Sequence, residues 1–203
     1  MPAVNQVALF GTSADPPTYG HQALLEGLLA TYPVVATWAS DNPLKAHGAP
    51  LAQRAALLAV LVDSIGNPRL QMVQELSSPW AIETLQRARQ RWPQAGLVFV
   101  VGSDLAGQIP RWKQASALLQ GCRLAIAPRA GWPFTCEQRQ ALEAIGGQVI
   151  ELALTIPATA SSRVRQQHDP SQIPPALQPT LLQHNLYGLQ GQAGLEQEDF
   201  EQP

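Results

Sequence analysis

Apolar and polar positions fall along this chain in two kinds of block that take turns. Short, nearly unbroken apolar runs occur at Val4 to Phe10, Pro33 to Ala39, Leu70 to Val73, Leu97 to Val101, Arg123 to Ala127 and Val149 to Leu152. Runs of this length, rich in Val, Ile and Leu, predict strands buried on both faces. Between them lie longer stretches whose apolar residues recur every three or four positions: His21 to Tyr32, Leu51 to Ile65, Trp80 to Trp92, Trp112 to Leu119 and Glu137 to Ile145. That period predicts helices, and two shorter ones fit Ser162 to Gln167 and Pro175 to Gln183. Strands alternating with helices predict an α/β fold: a doubly wound parallel sheet with helices on both faces and a small C-terminal helical portion.

In such a sheet, ligands bind beyond the carboxyl ends of the strands, where the strand order reverses. The loops that matter are therefore Gly11 to His21, Ser40 to Pro50, Gly102 to Trp112 and Pro128 to Pro133. The length of 203 residues, 45% of them apolar, fits one domain over residues 1–190. The polar, acidic stretch 191–203 has no apolar period and is expected to be disordered. No apolar run reaches the roughly 18 residues of a membrane span, and no signal-peptide pattern opens the chain, so a cytoplasmic protein without membrane partners is expected. A net charge of −2 argues against sequence-independent nucleic-acid binding. Cys122 and Cys136 fit no metal or redox spacing and read as reduced structural thiols.

The chemistry concentrates in a few motifs. Between the first strand and the first helix stands Gly11-Thr12-Ser13-Ala14-Asp15-Pro16-Pro17-Thr18-Tyr19-Gly20-His21. Backbone amides at Gly11, Thr12 and Ser13, with Thr18, Gly20 and His21 at a helix N-terminus, suit an anion such as a phosphate. Gly20 leaves room for close approach, and Thr18 and His21 supply donors. Lys45, in the loop after the second strand, can follow phosphate charge. Gly102 and Asp104 follow the clearest strand, where Asp104 can cap the next helix. Near the C-terminal end, Ser161 and Ser162 open a short helix that they can cap, and Arg165 shares the face of Ser162. A second anion-ready helix N-terminus results.

The run FGTSADPPTYGH resembles the GGTFDPxHxGH signature of the nicotinate-mononucleotide adenylyltransferases, part of the wider (H/T)xGH nucleotidyltransferase superfamily, and the resemblance extends from about Val7 to Leu189. It implies a Rossmann-like nucleotidyltransferase fold that binds ATP, with Mg²⁺ carried on the nucleotide, and a pyridine mononucleotide. Residue by residue, it implies that Gly102 and Asp104 lie by the adenosine and that Trp112, in the family's P-x-W, stacks on the pyridine ring. Arg129 matches the family's R-P-G segment, with Ala130 in place of proline. Ala160-Ser161-Ser162-Arg163-Val164-Arg165 is similar to the family's I-S-S-T-x-I-R, which puts Ser161, Ser162 and Arg165 on the β- and γ-phosphates. Two positions depart from the pattern. Thr18 replaces a histidine, and Ala81 replaces a threonine that lies near the pyridine ring.

The implied reaction is attack of the acceptor's phosphate on the α-phosphorus of ATP, giving deamido-NAD and pyrophosphate. An ionised phosphate needs no general base, so His21, Thr18, Lys45 and Arg165 act by position and charge. Because Thr18 and Ala81 depart from the pattern, nicotinamide mononucleotide and pantetheine phosphate stay open as acceptors. A nucleotide-binding module without turnover is the competing class, and a homo-oligomer is compatible with the exposed helices of such a sheet.

Overall fold

A computed structural model describes residues 5–41 and 46–189; Val4, Lys45 and the 191–203 tail lie outside the described residues. Six strands, β1 (Gln6–Thr12), β2 (Val34–Ala39), β3 (Leu70–Met72), β4 (Gly96–Gly102), β5 (Arg123–Ala127) and β6 (Gln148–Glu151), form one sheet in the order β3-β2-β1-β4-β5-β6. Every pairing is parallel. The order reverses between β1 and β4, which makes that junction the topological switch point.

Alternation along each strand sends neighbouring side chains to opposite faces. Ala8 and Phe10 of β1, Val35 of β2, Val98 and Val100 of β4 and Ala125 of β5 meet α1 (Tyr19–Thr31) and α2 (Leu51–Ile65) on one face. Val7, Leu9, Trp38, Leu97, Phe99 and Ile126 meet α3 (Ala81–Arg91), α4 (Ala115–Gly121) and α5 (Cys136–Ala144) on the other. The strands read as continuous apolar runs because both faces are buried. The C-terminal portion, α6 (Ser161–Gln167) and α7 (Gln178–Gln183) with short 3₁₀ turns around them, joins the first core through Val164, Ile173, Leu177, Leu181 and Leu186.

Most element boundaries move by one or two residues from the sequence pattern. Two differences bear on the site. β1 extends through Gly11 and Thr12, which the apolar run alone did not include. The stretch after β4 is a nine-residue 3₁₀ helix, Ser103–Arg111, and not a loop; the helix expected from Trp112 starts only at Ala115. Pro110 sits inside this 3₁₀ helix, where its missing N–H and fixed φ resist continuation as an α-helix.

Candidate active site

β1 pairs with β4 only from Gln6 to Leu9, while it stays paired with β2 through Thr12. β4 meanwhile follows β5 through Gly102. Phe10, Gly11 and Thr12 therefore part from β4, and a crevice opens at the switch point. Gly11 serves the fold there: a Cβ would lie 2.6 Å from the indole of Trp38, so only glycine lets β2 keep that ring. The sequence reading placed free amides at Gly11, Thr12 and Ser13. In the structure Gly11 and Thr12 belong to the paired strand, and Ser13 offers its carbonyl to Arg54 Nη1 at 2.7 Å.

His21 stands in the first turn of α1 and is held at both ring nitrogens. The Thr18 backbone N–H donates to Nδ1 at 3.0 Å, which leaves the ring proton on Nε2, and Nε2 lies 2.9 Å from Thr12 Oγ1. Burial, and secondarily the Arg129 guanidinium, lowers the imidazole to about 4, so the ring is neutral at physiological pH and offers one N–H donor. Thr18 has a different duty from the one expected. It is buried, its hydroxyl lies 3.0 Å from His21 Nδ1, and it accepts from Thr159 Oγ1 at 3.1 Å. Thr18 thus orients the imidazole. Gly20 is likewise committed: its N–H donates to Thr159 Oγ1 at 2.9 Å, and a Cβ would meet that same oxygen at 2.7 Å. Thr159 occupies the space beside Gly20 in this structure.

The second helix N-terminus docks on the same loop. Ala160, not a serine, caps α6, and Ser161 Oγ donates to Pro16 O at 2.8 Å, which corrects the expected serine cap. Ser162 is exposed. Arg165 Nη1 donates to the Asp15 carbonyl and lies 3.4 Å from Asp15 Oδ2. The buried Asp15 carboxylate also accepts from Gly48 N at 2.8 Å, Ala49 N at 3.2 Å and the Tyr187 hydroxyl at 2.8 Å. His47 Nδ1 lies 3.6 Å from it. Beneath, the fully buried Arg54 donates to the carbonyls of Ser13, Ser40 and Ala49 and to Asp41 Oδ1 at 2.7 Å. Asp15, Arg54, Thr159 and Tyr187 were not singled out from sequence. Arg54 alone carried a signal, a single charge on the helical face that buries Leu57, Leu58 and Leu61.

Across the crevice the arrangement is more open. Trp112 and Ala81 are partly buried and pack on the second core. The exposed Trp80 indole has Lys113 Nζ 4.9 Å from its centroid, and Lys113 lies 3.3 Å from Glu83 Oε1. Gly102 caps the 3₁₀ helix, so Asp104 is free of that role and forms an ion pair with Arg129. The Arg129 N–H donates to Ser103 Oγ at 3.0 Å, and its charge reaches His21. Burial pushes the Cys122 thiol up to about 12, a structural thiol. Among the described residues no group of three or more His, Cys, Asp or Glu could hold a metal ion, and no helix is long and apolar enough to cross a membrane.

A neutral imidazole and a guanidinium flanking one helix N-terminus, at the switch point of a parallel sheet, define a phosphate-handling α/β protein. Residues 9–167 match the cytidylyltransferase-like family. A protein of Synechocystis sp. named "Probable nicotinate-nucleotide adenylyltransferase" is 37% identical over 198 residues, covering 90% of this chain and 98% of its own. A Gemmatimonas aurantiaca protein of the same name is 30% identical over 135 residues, covering 63% of this chain and 64% of its own. The fold is that of Plasmodium falciparum nicotinic acid mononucleotide adenylyltransferase complexed with NaAD: TM-score 0.72 at 16% identity, covering 91% of this chain and 98% of that one. The chain belongs to the nicotinate-nucleotide adenylyltransferase family, within the cytidylyltransferase-like proteins.

Proposed function

We propose that this chain transfers the adenylyl group of ATP to nicotinate mononucleotide, forming deamido-NAD and releasing pyrophosphate. Family membership supports the reaction, and one geometric observation carries the mechanism: a neutral His21 whose only ring proton, on Nε2, sits at the N-terminus of α1. The acceptor's phosphate oxygen attacks the α-phosphorus in line, and the bond from that phosphorus to the bridging oxygen of pyrophosphate breaks. The nucleophile is already ionised, so no proton has to be removed. Charge accumulates on the non-bridging and leaving oxygens, and Nε2–H transfers its hydrogen bond from Thr12 to one of them. Donors fixed before the reaction need no reorganisation when charge develops. Arg165 leaves Asp15 for the pyrophosphate, helped by Ser162 and by Lys45. Magnesium enters as part of the MgATP substrate.

On the acceptor side, Trp112 offers a flat apolar surface for the pyridine ring, and Arg129 stands between Asp104 and the His21 end of the crevice. Ala81 brings no hydroxyl to the nicotinate group, which makes the acceptor the decisive measurement. Purified protein with MgATP is offered nicotinate mononucleotide, nicotinamide mononucleotide or pantetheine phosphate, and pyrophosphate release is followed. Preference for the first supports the reading. Preference for another keeps the mechanism and moves the substrate. Silence with all three, alongside tight MgATP binding, assigns a nucleotide-binding module.

A further inference from the structure

We infer that Tyr187 is a positioning residue for the triphosphate side of the site, acting through the Asp15 carboxylate on Arg165. The inference rests on the reading above only in taking the anion to be MgATP. Tyr187 is 172 residues from Asp15 in sequence, yet its hydroxyl donates to Asp15 Oδ1 at 2.8 Å. The backbone is bent to bring it there. Asn185, Tyr187 and Gly188 have φ of 46°, 60° and 67°, and His168 Nδ1 donates to the Tyr187 carbonyl at 2.7 Å. Left-handed backbone at a tyrosine is costly and persists only where the surroundings fix it. Burial, then the bond to Asp15, raises the phenol above its ordinary range, so it remains a donor.

A carboxylate has about four acceptor directions. Tyr187 and Ala49 occupy Oδ1, Gly48 occupies Oδ2, and Arg165 at 3.4 Å and His47 Nδ1 at 3.6 Å share what remains of Oδ2. Each donor that Asp15 already holds lessens its pull on Arg165. Removing the tyrosine hydroxyl leaves Oδ1 short of a donor and strengthens that pull, so an incoming triphosphate competes less well for the guanidinium. Gly48 belongs to the same device: a Cβ there would lie 2.5 Å from Arg165 Cδ and 3.1 Å from Tyr187 Cε1.

The test is a double-mutant cycle on the full chain, reading the MgATP dissociation constant by calorimetry for wild type, Tyr187→Phe, Arg165→Gln and the pair. Tyr187→Phe keeps the ring and is expected to weaken binding roughly tenfold, as loss of a hydrogen bond to a charged group does. In the Arg165→Gln background the same change is expected to cost less than about twofold, since coupled residues do not add. Equal weakening in both backgrounds, or none in either, overturns the inference, because a merely structural tyrosine does not sense Arg165. Gly48→Ala displaces Arg165 while keeping the residue-48 amide on Asp15 and is expected to weaken MgATP several-fold; unchanged affinity there also overturns it. A protein that binds MgATP but releases no pyrophosphate with any acceptor defeats the adenylyl-transfer reading while the cycle still decides the role of Tyr187.

Discussion

The two banks of the crevice are built to different standards. On the α1 side, Thr18, Asp15 and Arg54 are 1%, 2% and 0% exposed, and each makes several hydrogen bonds that tie residues far apart in sequence. On the α3 side, Trp80 is 43% exposed, and Lys113 and Arg129 are held by ion pairs that water reaches. The first bank is fixed before any ligand arrives, which suits groups that must meet charge as it develops. On the proposed reading, reaction chemistry falls to the buried half and acceptor choice to the exposed half.

The contrast predicts the largest stability difference between two cations. Arg54→Ala strips donors from three carbonyls and leaves Asp41 without its guanidinium. Breaking a buried charged network costs about 3–5 kcal/mol. Lys113→Ala, on the exposed pair, is expected to cost about 1 kcal/mol or less. Urea denaturation of both variants compares them, and equal losses would erase the distinction between the banks.

Turnover comes next. His21→Ala removes the Nε2–H donor without touching the binding surface across the crevice. Loss of one such donor lowers kcat roughly 10²–10³-fold. MgATP affinity is expected to change only a few-fold, because the interaction belongs mainly to the transition state. A fall in affinity matching the fall in kcat would make His21 a ground-state ligand and move the chemistry elsewhere.

The same imidazole imposes a pH dependence on stability. Its ordinary value is 6.5 and the fold lowers it to about 4. Between those values the unfolded chain binds a proton that the folded chain refuses, so stability rises with pH. The contribution is complete above pH 6.5 and is lost as pH falls toward 4, on the order of 2 kcal/mol once the residue's half-buried position is allowed for. Denaturation midpoints at pH 7 and pH 5 should converge less in wild type than in His21→Gln, in which this proton linkage is absent. Identical pH slopes in the two proteins would contradict a buried, neutral His21.

These features were unequally legible in the sequence. The parallel sheet followed from apolar runs alternating with helical periods, because both are local patterns. His21 and Arg165 were readable as donors at two helix N-termini, and the structure brings both onto residues 15–18. What lay between them was not readable. Thr159 on Gly20, and Tyr187 on Asp15, join positions 139 and 172 residues apart, and nothing local marks a threonine or tyrosine for such a contact. Nor did the sequence show that Thr18 and Gly20 share a partner, Thr159, which the chain supplies much later. The 3₁₀ helix after β4 was missed because nine residues of that geometry are uncommon and carry no distinct period.

The smallest effect probes the soft bank alone. Ala81 is the first residue of α3, partly buried, with Trp80 in the capping position before it. A threonine there is tolerated by the helix at a few tenths of a kcal/mol, and it restores the hydroxyl that the resemblance places near the pyridine ring. If the acid group of the acceptor lacks a partner in this chain, Ala81→Thr lowers the KM for nicotinate mononucleotide about 2–5-fold, the value of one modest hydrogen bond. The KM for MgATP should not move, since the opposite bank is fixed without Ala81. An unchanged acceptor KM would instead mean that the acid group is already met by a group on the soft bank, and the Lys113 ammonium over the neighbouring Trp80 ring is the cation to test. Lys113→Met then separates the two possibilities: a drop in preference for nicotinate over nicotinamide mononucleotide identifies the ammonium as the reader, and a retained preference returns the duty to backbone amides at the start of α3.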